Sequence, residues 1–213
     1  MNKKNLIVPA SAAILISLIS LHASCQGRGG RWSAEWEKKY EEWQPSEHVM
    51  DAFGVRAGMT VAEIGAGNGR FAVRLAGRVG EGGKVYANDI DPEALRFMRN
   101  RIREERIANM TVIEGGLTDP RLPRGELDLA CIVNTYDDLS RPVELMRNTL
   151  PALKPGGILA IMVYDPEKVG DLGGHAVPRE TVIRQAEAAG FTLANLDDSL
   201  SKDTIYLFRP ARH

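Results

Sequence analysis

The sequence predicts an α/β fold: a doubly wound, mostly parallel sheet with helices on both faces and an antiparallel hairpin at its C-terminal end. Three observations point there. Short apolar runs alternate with helix-length segments along residues 46–209. Two of those runs, 127–134 (LDLACIVN) and 157–164 (GILAIMVY), are nearly continuous in apolar residues, as strands covered on both faces are. The last two runs, 191–196 and 204–209, are joined by a short connection that suits antiparallel neighbours.

Each element has a local cause. Residues 1–24 are set apart from the fold and read as a signal peptide. Lys3 and Lys4 precede a mostly apolar run over 6–21, broken only by Pro9 and three serines, and the small residues Ala23 and Ser24 follow. The run is short for a membrane-spanning helix. Ser24-Cys25 resembles the end of a lipoprotein-type signal, whose cysteine is lipidated after cleavage, although His22 stands where such signals usually carry Leu. Lipidation at Cys25, plain cleavage and an uncleaved anchor all fit this pattern. Removing residues 1–24 takes away two lysines and leaves the remainder mildly acidic.

Residues 25–43 are a linker and an aromatic amphipathic helix. The stretch 26–31 (QGRGGR) is glycine-rich and reads as a flexible tether. All three tryptophans come next. Trp32, Trp36, Tyr40 and Trp43 recur every three or four residues and so share one helix face. The stripe packs on the main domain, lies in a membrane interface beside the N-terminal segment, or covers the active site.

Residues 44–213 carry the α/β domain. Pro45 opens a short helix over 46–53 that stops at Gly54. A strand at 60–64 leads into a helix over 69–78, and a strand at 84–88 leads into a helix reaching about 107. The second helix has Asp91 as its cap and Pro92 in its first turn. Strands at 110–114 and 127–134 follow. Ser140 reads as the cap of a helix over 141–153, Gly157 as the start of the fifth strand, and Pro178 as the opening of a helix that ends at Gly190. The formal charge is −1, from 27 basic and 28 acidic residues, which argues against nucleic acid as a partner. Two cysteines make no disulfide framework and no zinc pattern; Cys131, inside an apolar strand, reads as core.

Ligands of such sheets bind beyond the carboxyl ends of the strands. The first strand ends in Glu63-Ile64-Gly65-Ala66-Gly67-Asn68-Gly69, where glycines permit a tight turn and a close approach to the backbone. A dinucleotide fingerprint would place Gly at position 70, which is Arg. The second strand ends in Asn88-Asp89-Ile90-Asp91-Pro92. A carboxylate at 89 is placed to accept hydrogen bonds from a ribose diol, while Asp91 is taken up as the helix cap.

The pattern E-x-G-x-G-x-G over 63–69 resembles motif I of class I S-adenosylmethionine-dependent methyltransferases. Trp43-Gln44-Pro45, the stretch 58–65, Asn88 to Pro92, and Leu153-Lys154-Pro155-Gly156-Gly157 also look like pieces of this superfamily, over roughly 44–209. The resemblance implies a Rossmann-like, seven-stranded sheet with the last strand inserted antiparallel, S-adenosyl-L-methionine as cofactor, and methyl transfer to a small-molecule acceptor. It implies cofactor contacts at Glu63, Gly65, Ala66, Gly67, Asn68, Gly69, Asp89, Ile90 and Asn134.

Two places depart from the family. Gly116 stands where an acidic residue often contacts the adenine, with Asp119 or the Leu117 backbone as substitutes. After the fourth strand, Tyr136, Asp137 and Asp138 stand where similar sequences often carry Tyr-His-His. These three are the candidate catalytic residues, a carboxylate serving as general base. The same acids suit the cap of the next helix or, with Asp165, a magnesium or calcium site; no metal is assigned. His175 lies in a loop that lines the acceptor pocket or is merely exposed. The expectation is a periplasmic or cell-envelope methyltransferase held at the membrane through Cys25 or its N-terminal segment. The alternatives are a domain anchored on the cytoplasmic side, and a catalytically degenerate binding or scaffold protein.

Overall fold

The computed structural model describes residues 33–170 and 174–211. The signal-like segment, Cys25, the glycine-rich tether and Trp32 lie outside the described residues.

Among the described residues, seven strands form one sheet. They are β1 (Thr60–Ile64), β2 (Lys84–Asp89), β3 (Met110–Glu114), β4 (Leu127–Val133), β5 (Leu153–Tyr164), β6 (Phe191–Asp197) and β7 (Asp203–Pro210). Their order across the sheet is β3-β2-β1-β4-β5-β7-β6. Strands β1 to β5 pair in parallel, and β7 inserts antiparallel between β5 and β6. The expected hairpin is therefore folded into the sheet, with β7 inside and β6 at the edge. The chain's direction of travel reverses between β1 and β4, and that switch point opens the crevice in which ligands of such sheets bind.

The helices are α1 (Ala34–Trp43), α2 (Ser46–Phe53), α3 (Arg70–Val79), α4 (Pro92–Glu104), α5 (Pro142–Thr149), α6 (Pro166–Val169) and α7 (Arg179–Ala188). One face of the sheet is covered by α2, α3 and α4, which bury Phe53, Phe71, Leu75, Leu95 and Met98 against Val61, Leu129 and Cys131. The other face is covered by α5 and α7, with Met146, Val182 and Phe191 against Ile132, Ile161 and Tyr206. This double cover is why β4, apart from Asp128, and the second half of β5 read as continuous apolar runs.

Several boundaries differ from the sequence reading. Ser140 does not cap α5. The cap position is Arg141, because the residue before Pro142 is pushed out of helical geometry. That helix ends at Thr149; Pro151 sits in a single 3-10 turn, Leu150–Ala152, and β5 already begins at Leu153, paired with Leu127. Helix α4 stops at Glu104, and Arg106 follows with φ of 55°. Tyr136–Asp138 forms a 3-10 turn, and α6 is a one-turn helix capped by Asp165. Both are too short to leave a periodic signal. The cap at Asp91 is as expected, its side chain accepting from the Glu93 N–H at 2.9 Å.

Candidate functional site

A cleft of about 470 Å³ opens at the carboxyl ends of β1, β2 and β4. Its floor is the loop between β1 and α3. Gly65, Gly67 and Gly69 all have positive φ, the region that favours glycine. Gly65 is the most constrained of them. A Cβ there would lie 2.2 Å from Thr135 Cγ2, and the Thr135 hydroxyl donates to the Gly65 carbonyl at 3.0 Å. Asn68 is buried and its side chain accepts from the Arg70 N–H at 3.1 Å, closing the first turn of α3.

Asp89 ties this loop to β2. One carboxylate oxygen accepts from the Gly67 N–H at 2.7 Å, and the other accepts from the N–H groups of Ile90 (2.7 Å) and Asp91 (2.9 Å). A carboxylate offers about four lone-pair directions, so the oxygen that meets Gly67 keeps acceptor capacity to spare, and Asp89 lines the cleft. Ile90 and Leu117 flank the cleft and are the exposed large hydrophobics of the described residues, at 51% and 61%. Gly116 also lines the cleft. Asp119 does not. Its carboxylate accepts from the Arg121 N–H at 2.8 Å and so serves its own turn. Gly115 is small because Asn88 fills the space beside it, a built Cβ lying 2.6 Å from Nδ2.

Helix α1 lies across one side of the cleft, with Trp36 and Tyr40 among the lining residues. The aromatic stripe thus faces the domain. Trp36 and Tyr40 pack with ring centroids 4.3 Å apart, Arg70 sits 4.9 Å over the Tyr40 ring, and Lys202 sits 4.0 Å over the Trp43 ring. Glu37 fastens the helix: its carboxylate accepts from Asn68 Nδ2 (3.0 Å) and, in a fork, from both terminal nitrogens of Arg101 on α4 (2.6 and 3.2 Å). Just after the helix, the buried Gln44 exchanges hydrogen bonds with the Asn134 amide (3.0 and 2.7 Å) and donates to Asp203 at 2.9 Å. Asn134 holds φ of 53° at the end of β4, a conformation that costs energy outside glycine and concentrates at functional sites.

The floor of the cleft holds a buried carboxyl, Glu63, and a buried guanidinium, Arg70. Glu63 is 3% exposed, and burial pushes its carboxyl up to about 8 against the pull of Arg70 and the Ala72 N–H. Its Oε2 has no hydrogen-bond partner among the described residues, and neither has Arg70 Nη1, equally buried. Arg70 reaches Gln44 Oε1 at 3.4 Å and lies 3.9 Å from a Glu41 oxygen. Two buried polar atoms without a hydrogen-bond partner, one of a carboxyl and one of a guanidinium, thus belong to residues lining one cleft.

The 136–138 turn divides its three candidates. Tyr136 is buried, and its hydroxyl donates to Gln185 at 2.7 Å, away from the cleft. Asp138 lines the cleft. Asp137 pairs with His175 Nδ1 at 2.6 Å, and this contact raises the imidazole pKa. Donor atoms of Asp137, Asp138 and His175 lie within 4.8 Å of one another. The 2.6 Å contact is a hydrogen bond, shorter than the separation of two ligands each about 2.1 Å from one metal. Asp165 is elsewhere, buried under Arg179 (2.7 Å) and Thr204 (2.8 Å), so it does not join Asp137 or Asp138.

The cleft therefore brings together Glu63, Gly65, Ala66, Gly67, Asn68, Asp89, Ile90, Asn134 and Asp138, with Gly69 just behind as the cap position of α3. The sequence reading passed over Glu37, Gln44, Arg70 and Thr135 as site residues. Arg70 left a signal, as the non-glycine that ends the loop, and Gln44 stood in the family-like Trp43-Gln44-Pro45; Glu37 and Thr135 act through contacts distant in sequence.

A family model described as a methyltransferase domain matches residues 56–201. Curated relatives include the ubiquinone/menaquinone biosynthesis C-methyltransferase of Azotobacter vinelandii, 28% identical over 126 residues covering 59% of this chain and 50% of that one. The corresponding enzyme of Pseudomonas putida is 30% identical over 117 residues, covering 54% and 46%. The chain spans about half the length of these relatives. Among solved structures, a SAM-dependent methyltransferase from Aquifex aeolicus shares the fold with a TM-score of 0.75 at 24% identity, covering 84% of this chain and 98% of that one. A Bordetella parapertussis protein described as a "possible exported protein" shares it with a TM-score of 0.61 at 21% identity, covering 82% and 68%.

Proposed function

We propose that this chain, which belongs to the methyltransferase-domain family, is an S-adenosylmethionine-dependent methyltransferase acting on a small-molecule acceptor. The observation that carries the reading is the Asp89 clamp, a cleft-lining carboxylate that closes the glycine loop by accepting from Gly67. The donor set fits the cofactor. Asp89 would take the ribose, Ile90 and Leu117 the adenine faces, and Glu63 with Arg70 the zwitterionic amino-acid end, each being a cleft-lining group.

When bound, S-adenosylmethionine supplies a methyl group already activated on a sulfonium sulfur. The protein has to hold the acceptor in line with the carbon–sulfur bond and keep water out. Trp36 and Tyr40 of α1 cover the cleft, and the Gln44–Asn134 amide pair fixes the end of β4 beneath them. Asp138, the carboxylate of the 136–138 turn that lines the cleft, is the group placed to take a proton from an acceptor. Quinone precursors are the first acceptors to test, because the curated relatives carry names in ubiquinone and menaquinone biosynthesis. We place the chain at the cell envelope, on the periplasmic side, held by residues 1–25. The signal layout of that segment supports this, as does the description of the Bordetella protein.

A binding or scaffold role without turnover is the second reading. It is favoured by Gly116 in the place of an adenine-contacting acid and by Asp119 facing its own turn. Incubation of the full chain with methyl-labelled S-adenosylmethionine and an envelope lipid extract separates the two. The enzyme reading expects label in the organic phase and a matching amount of S-adenosylhomocysteine. Cofactor binding with no label transferred, to the extract or to demethylated quinones, supports the scaffold.

A further inference from the structure

The exposed arginines of α4 have no part in the cleft. Arg96, Arg99 and Arg103 fall within about 60° of one another around the helix axis, and all three are exposed, as is Arg106 just past the helix end. Ala94 and Met98, about 100° or more away around the axis, are buried in the core. Among the described residues Arg99 and Arg106 form no ion pair, and Arg103 donates to the Asn100 amide at 2.6 Å. The Arg96–Glu93 contact is 3.8 Å between two largely exposed groups, and pairs of that kind bind weakly. The stripe thus presents its charge to solvent, on a chain whose formal charge is −1.

The same helix holds α1, the first helix of the described residues. Arg101, on another side of α4, grips Glu37 in the first turns of α1. Ser33, where the described chain begins, is eight residues from Cys25, at most about 29 Å of extended backbone. A membrane attachment within residues 1–25 therefore leaves α4 within reach of that membrane.

We propose that the arginine face of α4 docks on the anionic phosphate headgroups of a phospholipid surface and so orients the domain on it. Guanidinium groups match phosphate in a two-pronged geometry, and a short basic cluster next to a hydrophobic or lipid anchor is the second signal that makes membrane attachment stable. The proposal takes from the envelope reading only the nearness of a membrane; the contact itself needs only anionic lipid. Nucleic acid fits less well, because the signal-like segment at 1–25 brings lipid rather than nucleic acid within reach.

The test uses the full chain with vesicles of phosphatidylcholine alone, or with about a third of the lipid replaced by phosphatidylglycerol. Flotation and amide hydrogen exchange are both read. The anionic vesicles should slow exchange over 92–106 and leave α7 unchanged, and partition should rise on the order of a hundredfold over neutral lipid. Charge reversal (R96E/R99E/R103E) and ~1 M salt, where screening acts within about 3 Å, should abolish both effects. Lysine at all three positions should retain most of them. These sites are exposed, so folding should be unaffected, and the thermal unfolding midpoint of each variant checks this. Equal exchange on both lipids overturns the proposal, as does protection of α4 by single-stranded RNA but not by vesicles. Flotation with neutral lipid reports the N-terminal anchor separately. Its failure, with anionic binding retained, overturns the anchor and supports the arginine face.

Discussion

Replacing Glu63 with glutamine should flatten the pH dependence of stability and raise stability above neutrality. The carboxyl is buried on the floor of the cleft and is pushed from 4.5 to about 8, first by burial, with Arg70 opposing. The sign follows from proton counting. Between those two values the folded state holds a proton that the unfolded state releases, so stability falls as pH rises through that window and levels off above it. At pH 7 the cost is about 2.5 pH units at 1.36 kcal/mol each, or about 3 kcal/mol. Glutamine keeps the shape and carries no ionisable proton. Urea unfolding at several pH values, with circular dichroism as readout, measures the difference. Wild type should lose about 1.4 kcal/mol per pH unit in the window relative to Glu63→Gln. Parallel curves for the two proteins would refute the assignment of a buried, neutral Glu63.

Three more expectations follow from the same geometry. Gly65→Ala combines a left-handed backbone with a Cβ 2.2 Å from Thr135 Cγ2 and should cost about 2–4 kcal/mol in urea unfolding; Thr135→Ala should restore part of that loss and leave the backbone share. Glu37→Ala removes the partner of Arg101 and Asn68. It should cost about 1–3 kcal/mol and speed amide exchange in α1 before any other helix, whereas uniform acceleration would mean α1 is no separate strap. Cofactor binding sets positive charge near Glu63 and should release a proton at neutral pH, with affinity rising toward about pH 8. Calorimetry in buffers of different ionisation enthalpy measures the proton count, and a count of zero contradicts the expectation.

The parts of the site that lie on one stretch of chain were legible in the sequence. The glycine spacing at 65, 67 and 69 and the carboxylate at 89 each follow from local backbone demands: positive φ in the loop, and a strand end facing it. The apolar runs of β4 and β5 announced a sheet covered on both faces, and that is how they are buried. What stayed hidden depends on contacts between distant residues. Gln44 meets Asn134 and Asp203 across 90 and 159 positions, and no periodicity marks it. Glu37 carries no spacing signal of its own, yet it is the residue that straps the aromatic helix down. Asp165 had the right place in the chain order to join the acids after β4; Arg179 and Thr204 draw it away instead. The α5 boundary was misread because a serine two residues before a proline looked like a cap, while the proline itself set the start.

The central claim is that the cleft over Gly65–Gly69 and Asp89 holds S-adenosylmethionine, and a calorimetric titration of that ligand into the purified chain, with Asp89→Ala alongside, tests it most directly. Removing a charge-assisted acceptor weakens binding by roughly tenfold or more, and here the same carboxylate also holds the Gly67 N–H in place. The account predicts binding in about the micromolar range that weakens by at least that factor in a folded Asp89→Ala protein. No heat of binding by folded wild type, or equal affinity in the two proteins, would contradict it.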